Sequence, residues 1–105
     1  MTQIKKPKGD FLDDANTLLH PIRFRIVKLL NEKPCNIGDI SRVLDVERHL
    51  IGMHLDILEL YGFVESERVI AEEGQLKGRV TRIVRLTDKV AKVCSELQKE
   101  LQALT

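Results

Sequence analysis

The chain has 105 residues, 43% of them hydrophobic and 31% charged, with a formal net charge of +1. This length suits one domain that buries roughly two thirds of its unfolded surface. No apolar run approaches the roughly 20 residues of a membrane span, so no membrane partner and a cytoplasmic location are expected. A balance this close to neutral leaves any affinity for nucleic acid to the placement of charge and not to its total.

The opening "MTQIKKPKGD" is basic and polar and has no apolar core behind its lysines, unlike a secretory signal. Residues 1–9 are expected to form a flexible basic tail, and 10–105 a single domain. From Asp10 onward Phe11, Leu12, Ala15, Leu18 and Leu19 recur at helical spacing. His20 and Pro21 interrupt them before Ile22, Ile26, Leu29 and Leu30 resume the pattern. Proline in a first helical turn sacrifices no intrahelical bond, so "LLHPIR" predicts a sharp joint between two helices.

Pro34 breaks the second helix, and Asn36 stands where its side-chain oxygen can cap a short helix carrying Ile37, Ile40, Val43 and Leu44. Asp45 and Val46 make a tight joint to a longer helix at about 47–61. That helix carries Leu50, Ile51, Leu55, Ile57 and Leu58 and stops at Gly62.

"FVESERVI" and "GRVTRIVRL" are rich in β-branched residues and flank a polar, glycine-containing segment, which predicts a hairpin over 63–86. Pairing Ala71 with Arg79 sets Glu65 opposite Arg85, and Arg68 opposite Arg82 on the side of Val64, Ile70, Val80, Val84 and Leu86. Like charges opposed in this way destabilise unless an anion lies between them. A phosphate, a carboxylate, or an internal acid such as Glu67 or Asp39 would serve.

After the capping residues Thr87 and Asp88, a helix at 87–104 carries Val90, Cys94, Leu97, Leu101 and Leu104 at gaps of four, three, four and three. Two heptads are too short to stand alone. With Phe11, Leu12 and Ala15 they are expected to form a homodimer interface. Cys94 on this seam reads as a small hydrophobe, with an interchain disulfide as the alternative.

These elements in order predict a mainly α fold with a small β-hairpin wing. The arrangement is a winged helix-turn-helix whose N- and C-terminal helices form a dimer interface. The residues also resemble the ArsR-type transcriptional regulators. "LLHPIRFRIVKLL" is similar to their second-helix run, and "IGDISRVLDV" followed by "HLDILELYGFVE" is similar to their turn motif and passage into the wing. The likeness covers about residues 12–90. It implies a sequence-specific regulator that binds double-stranded DNA as a homodimer, with helix 47–61 in the major groove and the wing on the flanking backbone. The chain departs from the family pattern at Gly52, Met53 and Asp56, where serine or threonine, arginine, and a basic residue are usual.

On a wheel of about 100° per residue, Arg48, His49, Gly52, Asp56 and Glu59 share the polar face of that helix. Arg48 and His49, near its start, are the candidates for base or phosphate contact, and Gly52 allows close approach. Lys77 and Arg79 at the hairpin tip, with Arg23, Arg25 and Lys28 of the second helix, are candidate phosphate contacts. Asp56 and Glu59 lie where carboxylates would repel phosphates. They motivate a rival reading, in which a winged-helix module docks a basic protein partner without specific DNA binding. His54 falls toward the apolar side, as a core-edge histidine with a hydrogen bond.

Cys35 and Cys94 form no CxxC or Cys/His ligand spacing. The positions at which family members carry metal-sensing cysteines hold Asn36 and Gly38, and no histidine follows His54. No metal or other cofactor is expected. Neither a phosphate-binding glycine loop nor a nucleophile motif occurs, so the chain is not expected to be an enzyme. The target sequence and any effector are not legible.

Overall fold

The computed structural model describes residues 10–70, 72, 74 and 77–105. The basic tail 1–9 and the predicted partner Ala71 lie outside the described residues. Helix α1 (Phe11–Leu18) opens under Asp10, whose carboxylate accepts from the Leu12 amide at 3.0 Å. The joint at "LLHPIR" is where the proline placed it. α2 (Pro21–Leu30) starts with Pro21, and His20 Nδ1 accepts from the Ile22 amide.

The two helices of the turn motif are α3 (Ile37–Leu44) and α4 (Arg48–Leu60). Asn36 caps α3 by accepting from the Asp39 amide at 2.7 Å. Asp45 adopts a left-handed conformation at φ 55°, ψ 50°, which aspartate tolerates better than most side chains. Ser41 Oγ donates to the Val46 carbonyl across the same turn. Gly62, at φ 81°, ends α4 and lets the Phe63 amide turn back to the Leu58 carbonyl.

The sheet has one more strand than the predicted hairpin. β2 (Val64–Ile70) and β3 (Val80–Leu86) pair antiparallel, and β1 (Cys35–Asn36) pairs with the other side of β3. A two-residue strand has too little length to show alternation, so β1 left no pattern in the sequence. The register is the expected one, with Glu65 opposite Arg85 and Arg68 opposite Arg82.

Leu18, Ile26, Ile40, Ile51, Leu55, Leu58, Phe63 and Val84 are fully buried, so all of α1 to α4 and the base of the wing share one core. α5 (Asp88–Gln102) is tied to it at its first turn. Thr87 Oγ1 donates to the Gly62 carbonyl and accepts from the Lys89 amide. Lys89 Nζ donates to Asp14 at 3.0 Å and to the Tyr61 carbonyl at 2.7 Å, and lies 5.0 Å from the Phe63 ring centroid.

The expected dimer seam divides. Ala15 and Val90 are buried within the protomer, together with Val93, and Phe11 and Leu97 are half-buried. Ala15 and Val90 therefore belong to the chain's own core, in which α5 packs against α1. Leu12, Cys94, Leu101 and Leu104 remain exposed, with Leu104 at 82%. Among the described residues no helix is long and apolar enough to cross a membrane.

Candidate nucleic-acid interface

The start of α4 is open. Arg48 and His49 are exposed, and the N-cap residue Glu47 makes no side-chain bond to the first-turn amides. Those amides carry the positive end of the helix dipole. One turn on, a Cβ built at Gly52 would meet nothing within 4 Å, so this flank of the helix is bare. The Arg48 guanidinium reaches back toward α3, where a Cβ on Gly38 would lie 3.8 Å from its Cζ.

Between this corner and the wing lies a cleft of about 540 Å³. Five arginines line it: Arg42 of α3, Arg48 of α4, and Arg68, Arg79 and Arg82 of the wing. Arg42 pairs with Asp39, the one acid among the described residues of the lining. Among the described residues Arg48, Arg68 and Arg79 have no carboxylate within ion-pair distance. Lys77 and Arg79 stand exposed at the hairpin tip, as expected.

The acidic half of α4 does not face outward alone. Arg82 Nη1 lies 3.2 Å from Asp56 Oδ1, and Nη2 lies 3.0 Å from Glu59 Oε1. Its third nitrogen, Nε, donates to Ser66 Oγ at 2.9 Å, and Ser66 Oγ donates in turn to Glu59 at 2.8 Å. The Arg82 side chain is only 14% exposed. The anion that relieves the opposition of Arg68 and Arg82 is thus internal, but it is not Glu67 or Asp39. Glu67 pairs across the other sheet face with Arg85 at 2.7 Å, and Asp39 is occupied by Arg42.

Arg23 also departs from expectation. It is half-buried, with Nε donating to the Thr17 carbonyl at 2.7 Å and Nη1 3.2 Å from His54 Nδ1. Those bonds hold the joint between α1 and α2 against α4 and turn Nε and Nη1 of the guanidinium inward. A guanidinium can only donate, so His54 Nδ1 must accept, which requires the neutral Nε2–H imidazole. Burial, reinforced by His20 at 4.7 Å between ring centroids and by Arg23, holds the His54 pKa below its usual value. Arg25 is also committed in part, donating to the Leu44 carbonyl at the end of α3.

Of the predicted contacts, the fold brings Arg48 and Arg79 to one cleft and leaves His49 and Gly52 open beside it. Arg42 was not a candidate, and Arg68 and Arg82 were singled out only as an opposed pair that an anion could relieve. The opposition of Arg68 and Arg82 was visible in the register, but the side chain that resolves it comes from a helix over twenty residues away in sequence. Cys35 is buried, with its thiol pushed up in pKa by burial first and by Asp39 second. Among the described residues no three His, Cys, Asp or Glu side chains are grouped to hold a metal ion.

Residues 20–66 match the profile of bacterial regulatory proteins of the arsR family. An HTH-type transcriptional regulator of Methanocaldococcus jannaschii is 32% identical over 92 residues, which span 88% of this chain and 92% of the relative. The structure of a transcriptional regulator homologue of Pyrococcus horikoshii superposes with a TM-score of 0.65 at 25% identity, covering 90% of this chain and 97% of that one. The fold is also that of diamide-treated YodB from B. subtilis, with a TM-score of 0.72 at 19% identity over 92% of this chain and 90% of the other.

Proposed function

The chain belongs to the ArsR family of transcriptional regulators, and from that premise we propose that it binds a specific double-stranded DNA sequence as a homodimer. It is a winged-helix regulator and not an enzyme. In this reading α4 enters the major groove and the wing lies on the flanking backbone. Arg48 and His49 meet base edges or phosphates, and Gly52 lets the backbone of α4 come close to the duplex. Lys77 and Arg79 hold phosphates beyond the groove.

The observation that carries the proposal is the arginine-lined cleft between the start of α4 and the wing. A phosphate strand passing from major to minor groove would run along it, with Arg48 on one wall and Arg68 and Arg79 on the other. A duplex supplies closely spaced phosphates to such a cleft, and this explains how a chain with a net charge of only +1 can bind DNA. The rival reading, a protein-docking module with an acidic face, is weakened because Asp56 and Glu59 both pair with Arg82.

The dimer is supported by Leu12, Cys94, Leu101 and Leu104, exposed apolar side chains on α1, on α5 and in the turn that follows α5. Binding half-sites one helical turn apart would require the two copies of α4 in that dimer to lie about 34 Å from each other. Action on DNA goes with a cytoplasmic location. Selection of bound duplexes from a random pool tests site and symmetry together. Enrichment of an inverted repeat with half-sites one turn apart is expected. Absence of any binding at low salt would remove the proposal.

A further inference from the structure

The strongest unexplained feature is a fully engaged arginine on the wing. Arg82 uses all three of its nitrogens on neighbours: Asp56 and Glu59 of α4 and Ser66 of β2. We propose that Arg82 is a positioning residue for DNA binding, the counter-ion that neutralises the recognition helix from within the wing. The inference rests on the DNA-binding reading above.

Asp56 and Glu59 stand on the same α4 face as Arg48, His49 and Gly52, and Asp56 is 73% exposed. Two bare carboxylates there would meet phosphate oxygens at close range and repel them. Arg82 does not itself stand in for a missing basic residue on α4, because its side chain is only 14% exposed and each of its three nitrogens is held by a neighbour. It acts instead by cancelling one of the two charges outright and spreading its own over both. The three-way fork also fixes the wing against α4, so that both reach the duplex as one body. A lysine could meet one carboxylate but lacks the fork that also holds Ser66.

The arrangement accounts for the departure from the family pattern at Asp56. An acid is tolerated on the recognition helix because its cation is supplied from β3, where no inspection of the helix alone would find it.

The experiment compares the dissociation constant of the full chain for its selected duplex in four forms: wild type, Arg82→Gln, Asp56→Asn/Glu59→Gln, and the triple variant. Thermal unfolding is followed in parallel. Arg82→Gln is expected to weaken binding about tenfold or more at low salt, by unmasking two acids beside the phosphates. Asp56→Asn/Glu59→Gln is expected to bind at least as tightly as wild type. In that amide background the further change Arg82→Gln is expected to cost less than about threefold, since no carboxylate remains to be unmasked.

Should Arg82→Gln alone fail to fold, the pair of forms in the amide background still decides. An equal tenfold loss in both backgrounds would mean that Arg82 touches phosphate directly, and would overturn the proposal. A loss of affinity on converting the acids to amides would overturn it too, as would an Arg82→Gln variant indistinguishable from wild type. A wild-type chain that binds no duplex would instead overturn the DNA reading, and this inference with it.

Discussion

Replacing Lys89 by methionine tests how the terminal helices are held to the DNA-binding core. The Lys89 ammonium bridges Asp14 of α1, the Tyr61 carbonyl at the end of α4, and the Phe63 ring. Asp14 has a side chain only 6% exposed, whereas that of Lys89 is 26% exposed. Removing one partner of a buried pair costs about 3–5 kcal/mol, because the other charge is left without solvent or counter-ion. Partial access of water at Lys89 places the expectation at the lower end, about 3 kcal/mol. For a domain near 100 residues that is a fall of roughly 12–24 °C in Tm. Urea unfolding at fixed protomer concentration measures it, with Asp14→Asn and the double variant completing a cycle. The cycle should give a coupling of at least about 1 kcal/mol. A loss under about 1 kcal/mol for Lys89→Met, or strict additivity, would refute the claim that this pair anchors α5. Because α1 and α5 carry the exposed apolar residues, the same substitution should also weaken self-association.

Arg48→Ala is expected to cost about 1–3 kcal/mol on the selected duplex and to relax discrimination at one base position, whereas Lys77→Ala should weaken all duplexes alike and reduce the salt slope by about one. Equal losses on selected and random duplexes for both variants would contradict a base-reading role for Arg48. Leu101→Glu, at a position 57% exposed in the single chain, should leave folding intact and shift the chain to monomer in sedimentation; an unchanged dimer would place the interface elsewhere. For His54 the folded pKa lies below the usual 6.5, chiefly through burial. Between those two values the unfolded chain binds the extra proton, so this contribution to stability is full above pH 6.5 and declines as the pH falls toward the folded pKa. Denaturant midpoints across that range should show the decline, and His54→Gln should flatten it. Asp45→Val should cost about 1–2 kcal/mol and Asp45→Gly much less, since only the first forces a β-branched residue to φ 55°. Similar midpoints for the two would contradict strain at the turn.

Local chemistry made most of the fold legible. Pro21 after His20, Asn36 before Ile37, Gly62 after Tyr61 and Thr87 before Asp88 each mark a helix end through a backbone requirement that needs no tertiary partner. The wing register followed from alternation, because a slip of one residue would turn Val64 and Val84 out of the core. What escaped depends on tertiary context. β1 is two residues long and exists only because β3 lies beside it. On α5, heptad spacing selected Cys94, but the helix buries Val90 and Val93 in the chain's own core and leaves Cys94 outside. Spacing identifies an apolar stripe; how far the stripe turns inward depends on the neighbouring helix.

Charge was the least legible property of the site, and Arg23 and Arg82 explain why in opposite directions. Arg23 sits on an exposed-looking helix position, yet Thr17 and His54 draw two of its nitrogens inward and leave the side chain half-buried. Arg82, drawn inward in the same way, pairs with two acids and offsets one of their two negative charges. A helical wheel assigns each side chain to a face but says nothing of which charges are already paired across elements. Counting residues on α4 alone gives one arginine against two acids; adding Arg68 and Arg82, which share one face of the wing, gives three arginines against the same two acids. The electrostatic unit that would meet DNA is therefore the recognition helix together with the sheet face packed against it, and substitutions in β3 should change DNA affinity as strongly as substitutions in α4 itself.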